Sequence, residues 1–184
     1  MKKVQKYNKN IVTNSVWNTL TNFFKCCRMK LGKRGDSTMT DAITLSRYII
    51  HRFNEDERVI TNLKLQKILY YIQGYFLKAF NRVAFLEKIY NWQYGPVVPA
   101  VYYEYKSFGA SPIECFKAVD LEIKGNEKKL VDSIIDSCFQ KTALELVSMT
   151  HSENPWKNSS TGEIIETSSI KSFFDYSNPL EINI

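Results

Sequence analysis

Histidine, cysteine motifs and long apolar runs are what this sequence has least of. Only His51 and His151 occur in 184 residues, so histidine-built metal sites and proton relays have little material. No run of about 18 apolar residues is present, and no integral membrane helix is expected. The first thirty residues interleave Asn, Thr and Lys without a compact apolar segment, so no secretory signal peptide is expected either. Seven glycines and five prolines are too few for a low-complexity or fibrous chain. The cysteines, Cys26, Cys27, Cys115 and Cys138, form neither a C-x-x-C pair nor a small disulfide framework, which points to reduced thiols in a cytoplasm. The phosphate loop G-x-x-x-x-G-K-[ST], the zinc motif H-E-x-x-H and the dinucleotide motif G-x-G-x-x-G are all missing. No cofactor, no metal and no catalytic residue is assigned, and the chain reads as a non-enzyme.

What is present suits one folded domain with an appendage. The hydrophobic fraction is 44%, the aromatic fraction 14% and the charged fraction 24%, a globular composition. The formal charge of +6 is unevenly placed. Residues 1–35 hold nine Lys or Arg and no acid, which leaves 25 − 9 = 16 basic against 19 acidic residues beyond, or −3. The basic character therefore belongs to residues 1–38, read as an extension with an amphipathic helix over 14–28 and a linker at 32–37. Residues 39–184 are the expected domain. The extension is either a functional appendage contacting an anionic partner or an accident of start-site choice, and both readings stand.

Helical periodicity begins at Thr40. Ala42, Leu45, Ile49 and Phe53 line one face behind a Thr40/Asp41 cap. Over 62–80, Leu65, Ile68, Leu69, Ile72, Phe76 and Ala79 share one wide face, while Leu63, Tyr70 and Leu77 form a second. A helix apolar on two sides is packed on both, so this one is the expected spine. Alternation over 86–94 and again over 117–124 predicts a minor two- or three-stranded β element. Pro96 or Pro99 starts the next helix and Gly109 stops it. Leu130, Ile134 and Cys138 mark another helix. Thr142 with Glu145 forms a capping box for the one after, Asn154-Pro155 ends it, and Ser168 or Ser169 caps a last one. The expected fold is mainly α, a compact bundle of five to seven helices.

Two surfaces offer themselves for binding. At the corner, Gly95 supplies torsional freedom, Pro96 and Pro99 stiffen the turn, and Val97 and Val98 plug the core. The same stiff turn can display aromatic anchors, which serve interfaces at small entropic cost. The partner-binding set is accordingly Trp92, Tyr94, Gly95, Pro96, Val97, Tyr102, Tyr103, His151 and Trp156. Trp156 reads first as a lid over the preceding helix and second as a platform. His151 adjoins Ser152 and Glu153, but a triad needs spatial convergence that neighbours on one turn do not supply. The second surface comprises Lys64, Lys67, Tyr71, Tyr75 and Lys78. It is either a solvated helix face or an aromatic-basic contact for nucleic acid or another anionic partner.

The order of segments carries a resemblance. Leu63–Gly74, LKLQKILYYIQG, resembles the KLQKLLYYAQG signature of the Panacea or SocA-like antitoxin family. Trp92–Tyr102, WQYGPVVPAVY, resembles its W-x-YGPVVP-x-VY motif, and Met149–Trp156, MTHSENPW, is similar to its LTH-x-E-x-PW. The motifs stand in the family's order, and the likeness runs from about Met39 to Tyr176. Phe139-Gln140-Lys141 departs from the Tyr-Gly often found there. The resemblance implies a mostly helical antitoxin, often prophage-associated, that neutralises a cognate toxin encoded beside it. Two alternatives stand: an adaptor delivering the toxin to a protease, and a nucleic-acid-binding regulator acting through the basic extension. Homo-oligomerisation is left open.

Overall fold

The computed structural model describes residues 40–114, 119 and 121–183. The helix expected over 14–28 lies outside the described residues. Helix α1 spans Ala42–Glu55, opened by the Asp41 carboxylate, which accepts from the Thr44 amide at 2.8 Å. Helix α2 spans Asn62–Phe80 behind a Thr61 cap, and Asn81, left-handed at φ 52°, ends it. Strands β1 (Tyr90–Trp92) and β2 (Gly95–Val97) form an antiparallel hairpin. Helix α3 (Pro99–Tyr105) follows with proline in its first turn and runs into a 3-10 turn that Gly109 closes at φ 56°. Helices α4 (Gly125–Phe139), α5 (Ala143–Ser152), α6 (Asn154–Lys157) and α7 (Thr167–Tyr176) complete the order. The Thr142–Glu145 capping box is present in both directions, at 3.1 and 2.6 Å. The fold is mainly α with a minor β element.

Helix α2 is the spine. Fifteen of its nineteen residues are buried, and α1, α3, α4, α5, α7 and β2 all pack on it. Leu65, Ile68, Leu69, Ile72 and Phe76 are fully buried, each contributing roughly 1.5–3 kcal/mol by leaving water. Ala79, at the end of the expected stripe, is half-buried. Against α2, the ring of Phe174 on α7 meets Tyr70, Tyr71 and Tyr75 edge-on at 5.8, 6.2 and 5.1 Å. Gly74 makes this approach possible, because a Cβ there would lie 2.2 Å from the Phe174 ring. On the far side, Asp132 of α4 accepts from Tyr48 at 2.5 Å and from Arg52 at 2.7 Å, which ties α4 to α1.

Three sequence expectations are corrected. The partner of the first strand is not 117–124: its described residues form no strand, and Gly95–Val97 pairs instead, with Tyr90 also bridging Ile164. Pro96 is tolerated there because the opposing Asn91 turns its amide to Glu163 and its carbonyl to the Gly162 amide. Alternation signalled buried positions at Leu121 and Ile123, but burial on one side does not require strand pairing. The last helix is preceded by Glu166 rather than Ser168 or Ser169. Asn154 lies inside α6, and the break after α5 falls one residue earlier, at Glu153 (φ −89°, ψ 141°).

Candidate partner-binding surface

The polar residues of α2 hold the surrounding loops in place. Buried polar groups need partners, and each finds one in a loop or neighbouring element. Gln66 accepts from the Val98 amide at 2.9 Å while its own amide donates to Asn62 at 2.9 Å. Gln73 accepts from Ala84 at 2.9 Å and donates to the Phe85 carbonyl at 3.1 Å. Tyr75 donates to Asn178 at 2.7 Å and accepts from Leu180 at 2.9 Å. Lys67, fully buried, donates from Nζ to the Pro96 carbonyl at 2.8 Å, and burial lowers its pKa to about 7.

The corner is built on these anchors. Gly95 stands at φ 99°, a conformation L side chains rarely adopt. A Cβ there would also meet Lys67 Nζ at 2.8 Å and Thr150 Oγ1 at 2.9 Å. With Gln93 and Tyr94 as the loop, the two-residue hairpin projects Tyr94 outward at 57% exposure, and Tyr103 on α3 has the same exposure. Between them runs an aromatic cluster. Trp92 meets Tyr102 at 4.9 Å and Tyr103 at 6.4 Å, all edge-on. Lys106 sits over the Tyr103 ring at 5.1 Å. A cleft of about 430 Å³ opens beside this cluster, with Leu63, Trp92, Tyr94 and Tyr102 in its walls.

Behind the hairpin, Trp156 donates from its indole to the Trp92 carbonyl at 3.1 Å and stacks on His151 at 3.9 Å. The His151 pKa is lowered by burial and then by nearby Lys67, against a hydrogen bond to the Gln93 backbone. Asn91 donates to the Trp156 and Ser159 carbonyls at 2.8 and 2.7 Å, fixing this wall.

Glu153 is the residue that sequence reasoning passed over. It is 4% exposed and accepts one tyrosine hydroxyl on each oxygen, Tyr70 at 2.8 Å and Tyr71 at 3.0 Å. Burial pushes its pKa up to about 7, against the pull of those two hydrogen bonds. Burial and the neighbouring carboxylate in turn raise both tyrosines. Its position in the MTHSENPW motif was the only available signal.

The sequence-derived sites divide accordingly. Trp92, Tyr94, Tyr102 and Tyr103 come together on one surface. Gly95, Pro96 and Val97 are buried beneath it and act as its support. His151 and Trp156 are half-buried behind the hairpin. The Lys–Tyr face is a correction. Lys67, Tyr71 and Tyr75 are fully buried, Lys64 is 6% exposed, and Lys78 is half-buried with its amine on the Ser177 carbonyl at 2.9 Å. Lys64 lies over Phe53 at 4.7 Å, its pKa lowered first by burial. The reason is tertiary: α5 and α7 cover most of the side of α2 that polarity alone assigns to water, and Phe53 of α1 with the Phe139 carbonyl at the end of α4 covers Lys64. Cys138 is a buried free thiol whose pKa burial raises to about 12. Among the described residues no helix is long and apolar enough to cross a membrane.

Residues 65–157 match a family model described as antitoxin SocA-like, Panacea domain. No curated protein and no solved structure matches the chain.

Proposed function

This chain belongs to the SocA-like antitoxin family of the Panacea domain, and we propose that it neutralises a cognate toxin by binding it directly, without chemistry of its own. The observation that carries the reading is the pair of exposed tyrosines, Tyr94 and Tyr103, flanking an aromatic-walled cleft on a backbone that the α2 anchors hold rigid. Large exposed aromatics on an ordered corner lose little entropy on binding. A few such anchors, at roughly 2–4 kcal/mol each, are enough for a tight inhibitory complex. Leu63 and Trp92 in the cleft wall give the partner apolar surface to cover, and Lys106 supplies a charge at its rim.

The proposal takes residues 39–184 as the binding unit, acting in the cytoplasm on a toxin encoded by an adjacent gene. Co-expression is the test: a neighbouring gene toxic alone becomes harmless with this one, and Tyr94→Ala with Tyr103→Ala abolishes the rescue. Failure of this chain to rescue cells from any toxic neighbouring gene, or full rescue by the double variant, overturns it. Pulse-chase of the toxin distinguishes blockade, in which its half-life is unchanged, from delivery to a protease.

A further inference from the structure

A second cleft, of about 480 Å³, lies away from the aromatic corner, between the end of α5 and the chain that follows α7. Glu153 lines it. Met149, Phe173 and Pro179 give apolar walls, and Ser152 and Ser177 are polar groups in its lining.

We propose that this cleft receives the guanidinium of an arginine side chain presented by the protein partner, with the Glu153 carboxylate as its counter-charge. The inference deepens the antitoxin reading and rests on it for the identity of the partner. Three observations on the molecule carry it. First, the carboxylate has no cation: among the described residues no Lys, Arg or His forms an ion pair with Glu153. The groups that face it are the hydroxyls of Tyr70 and Tyr71, with Tyr75 further along α2. Lys78 spends its amine on the Ser177 carbonyl, and Lys67 on that of Pro96. Second, a carboxylate has about four acceptor positions. Among the described residues two are taken, one on each oxygen, which leaves one unfilled on each. That is the pattern a guanidinium fork fills with two parallel hydrogen bonds, whereas a lysine amine fills one. Third, the apolar walls suit the methylene stem behind such a head group. A buried carboxylate without a counter-ion resists ionisation, and the upward displacement of Glu153 to about 7 accords with an unfilled cation position.

The test uses the full chain with ethylguanidinium as probe and ethylurea as its neutral isostere. The readout is the carboxyl carbon resonance of Glu153, followed by NMR through a pH titration. Ethylguanidinium is expected to lower the Glu153 midpoint by about one pH unit or more and to saturate in the millimolar range. Glu153→Gln, followed on the Tyr70 and Tyr71 ring resonances because it lacks the carboxyl carbon, removes the saturable binding. Ser152→Trp, which places a large ring at an exposed lining position, weakens it about fivefold or more while the Tyr70 and Tyr71 bonds to Glu153 remain. The second variant decides the matter where the first does not fold. An unmoved Glu153 resonance, an equal response to ethylurea, or undiminished binding to the variants overturns the proposal. No toxin is needed for this measurement, so its failure is distinct from failure of the co-expression rescue.

Discussion

The amine of Lys67 donates to the carbonyl of Pro96 at 2.8 Å, which joins the middle of α2 to the turn that carries the exposed aromatics. The contact is fully buried on the lysine side. An amine that has no ion-pair partner among the described residues is therefore held in the interior to position a loop, and its cost depends on pH.

Lys67 ordinarily titrates near 10.5 and here near 7. Between those values the unfolded chain binds more protons than the folded one, so this group makes stability rise with pH across the window. Below about pH 7 the charged amine is a burden, on the order of a few kcal/mol. Lys67→Met removes the charge and the hydrogen bond together. In urea unfolding from about pH 7 to about pH 10, wild type is expected to gain stability relative to the variant. Parallel profiles would contradict this account.

Glu153 has the opposite sign. Its folded value, about 7, lies above the ordinary 4.5, so its contribution is full below pH 4.5 and is lost as pH rises through 7. Glu153→Gln is expected to flatten that segment of the profile. The stability gap between wild type and variant should shrink by about 3 kcal/mol from acid to neutral pH. A gap constant across the range would count against a perturbed carboxyl.

Gly74 and Phe174 form a steric pair. A Cβ at 74 would lie 2.2 to 2.4 Å from three atoms of the Phe174 ring. Gly74→Ala is therefore expected to destabilise by about 2–4 kcal/mol despite the better helix propensity of alanine. Combining it with Phe174→Leu is expected to recover part of the loss, and a double-mutant cycle in urea measures the coupling. Strict additivity would show that the ring moves aside freely.

Exposed and buried tyrosines separate binding from folding. Tyr94→Ala, at a 57% exposed position, should alter stability by no more than about 0.5 kcal/mol, and Tyr103→Ala, equally exposed but edge-on to Trp92 and Tyr102, by about 1–2 kcal/mol. At an interface hot spot each weakens toxin binding by roughly 2–4 kcal/mol. Tyr71→Phe reverses the pattern, because it strips Glu153 of one of its two hydroxyl donors. It should cost about 1–3 kcal/mol of stability while the Tyr94 and Tyr103 surface stays intact. Calorimetric unfolding beside a toxin-binding isotherm reads both.

Much of the fold is legible along the chain because its signals are local. The Asp41 cap, the bounds of α2, Pro99 at a helix start and the Thr142–Glu145 box all depend on residues within a turn of one another. The aromatic corner was also legible, since Gly95 and two prolines mark a rigid turn by their own backbone chemistry. β2 escaped notice because the same Gly-Pro that reads as a breaker becomes an edge strand once Asn91 bonds elsewhere. Lys64, Lys67, Tyr71 and Tyr75 read as a surface because polarity is the only cue to exposure in one dimension.

The sequence by itself determined the helical frame, the two-sided apolar spine and the family, since periodicity, caps and contiguous motifs are properties of neighbours. Only the tertiary structure decided that the polar residues of α2 are interior anchors and that Glu153 lies buried between two tyrosine hydroxyls. The physical reason is that a buried polar group is tolerable only with a partner, and Pro96, Val98 and Phe85 lie between 12 and 32 residues away along the chain from the side chains they satisfy.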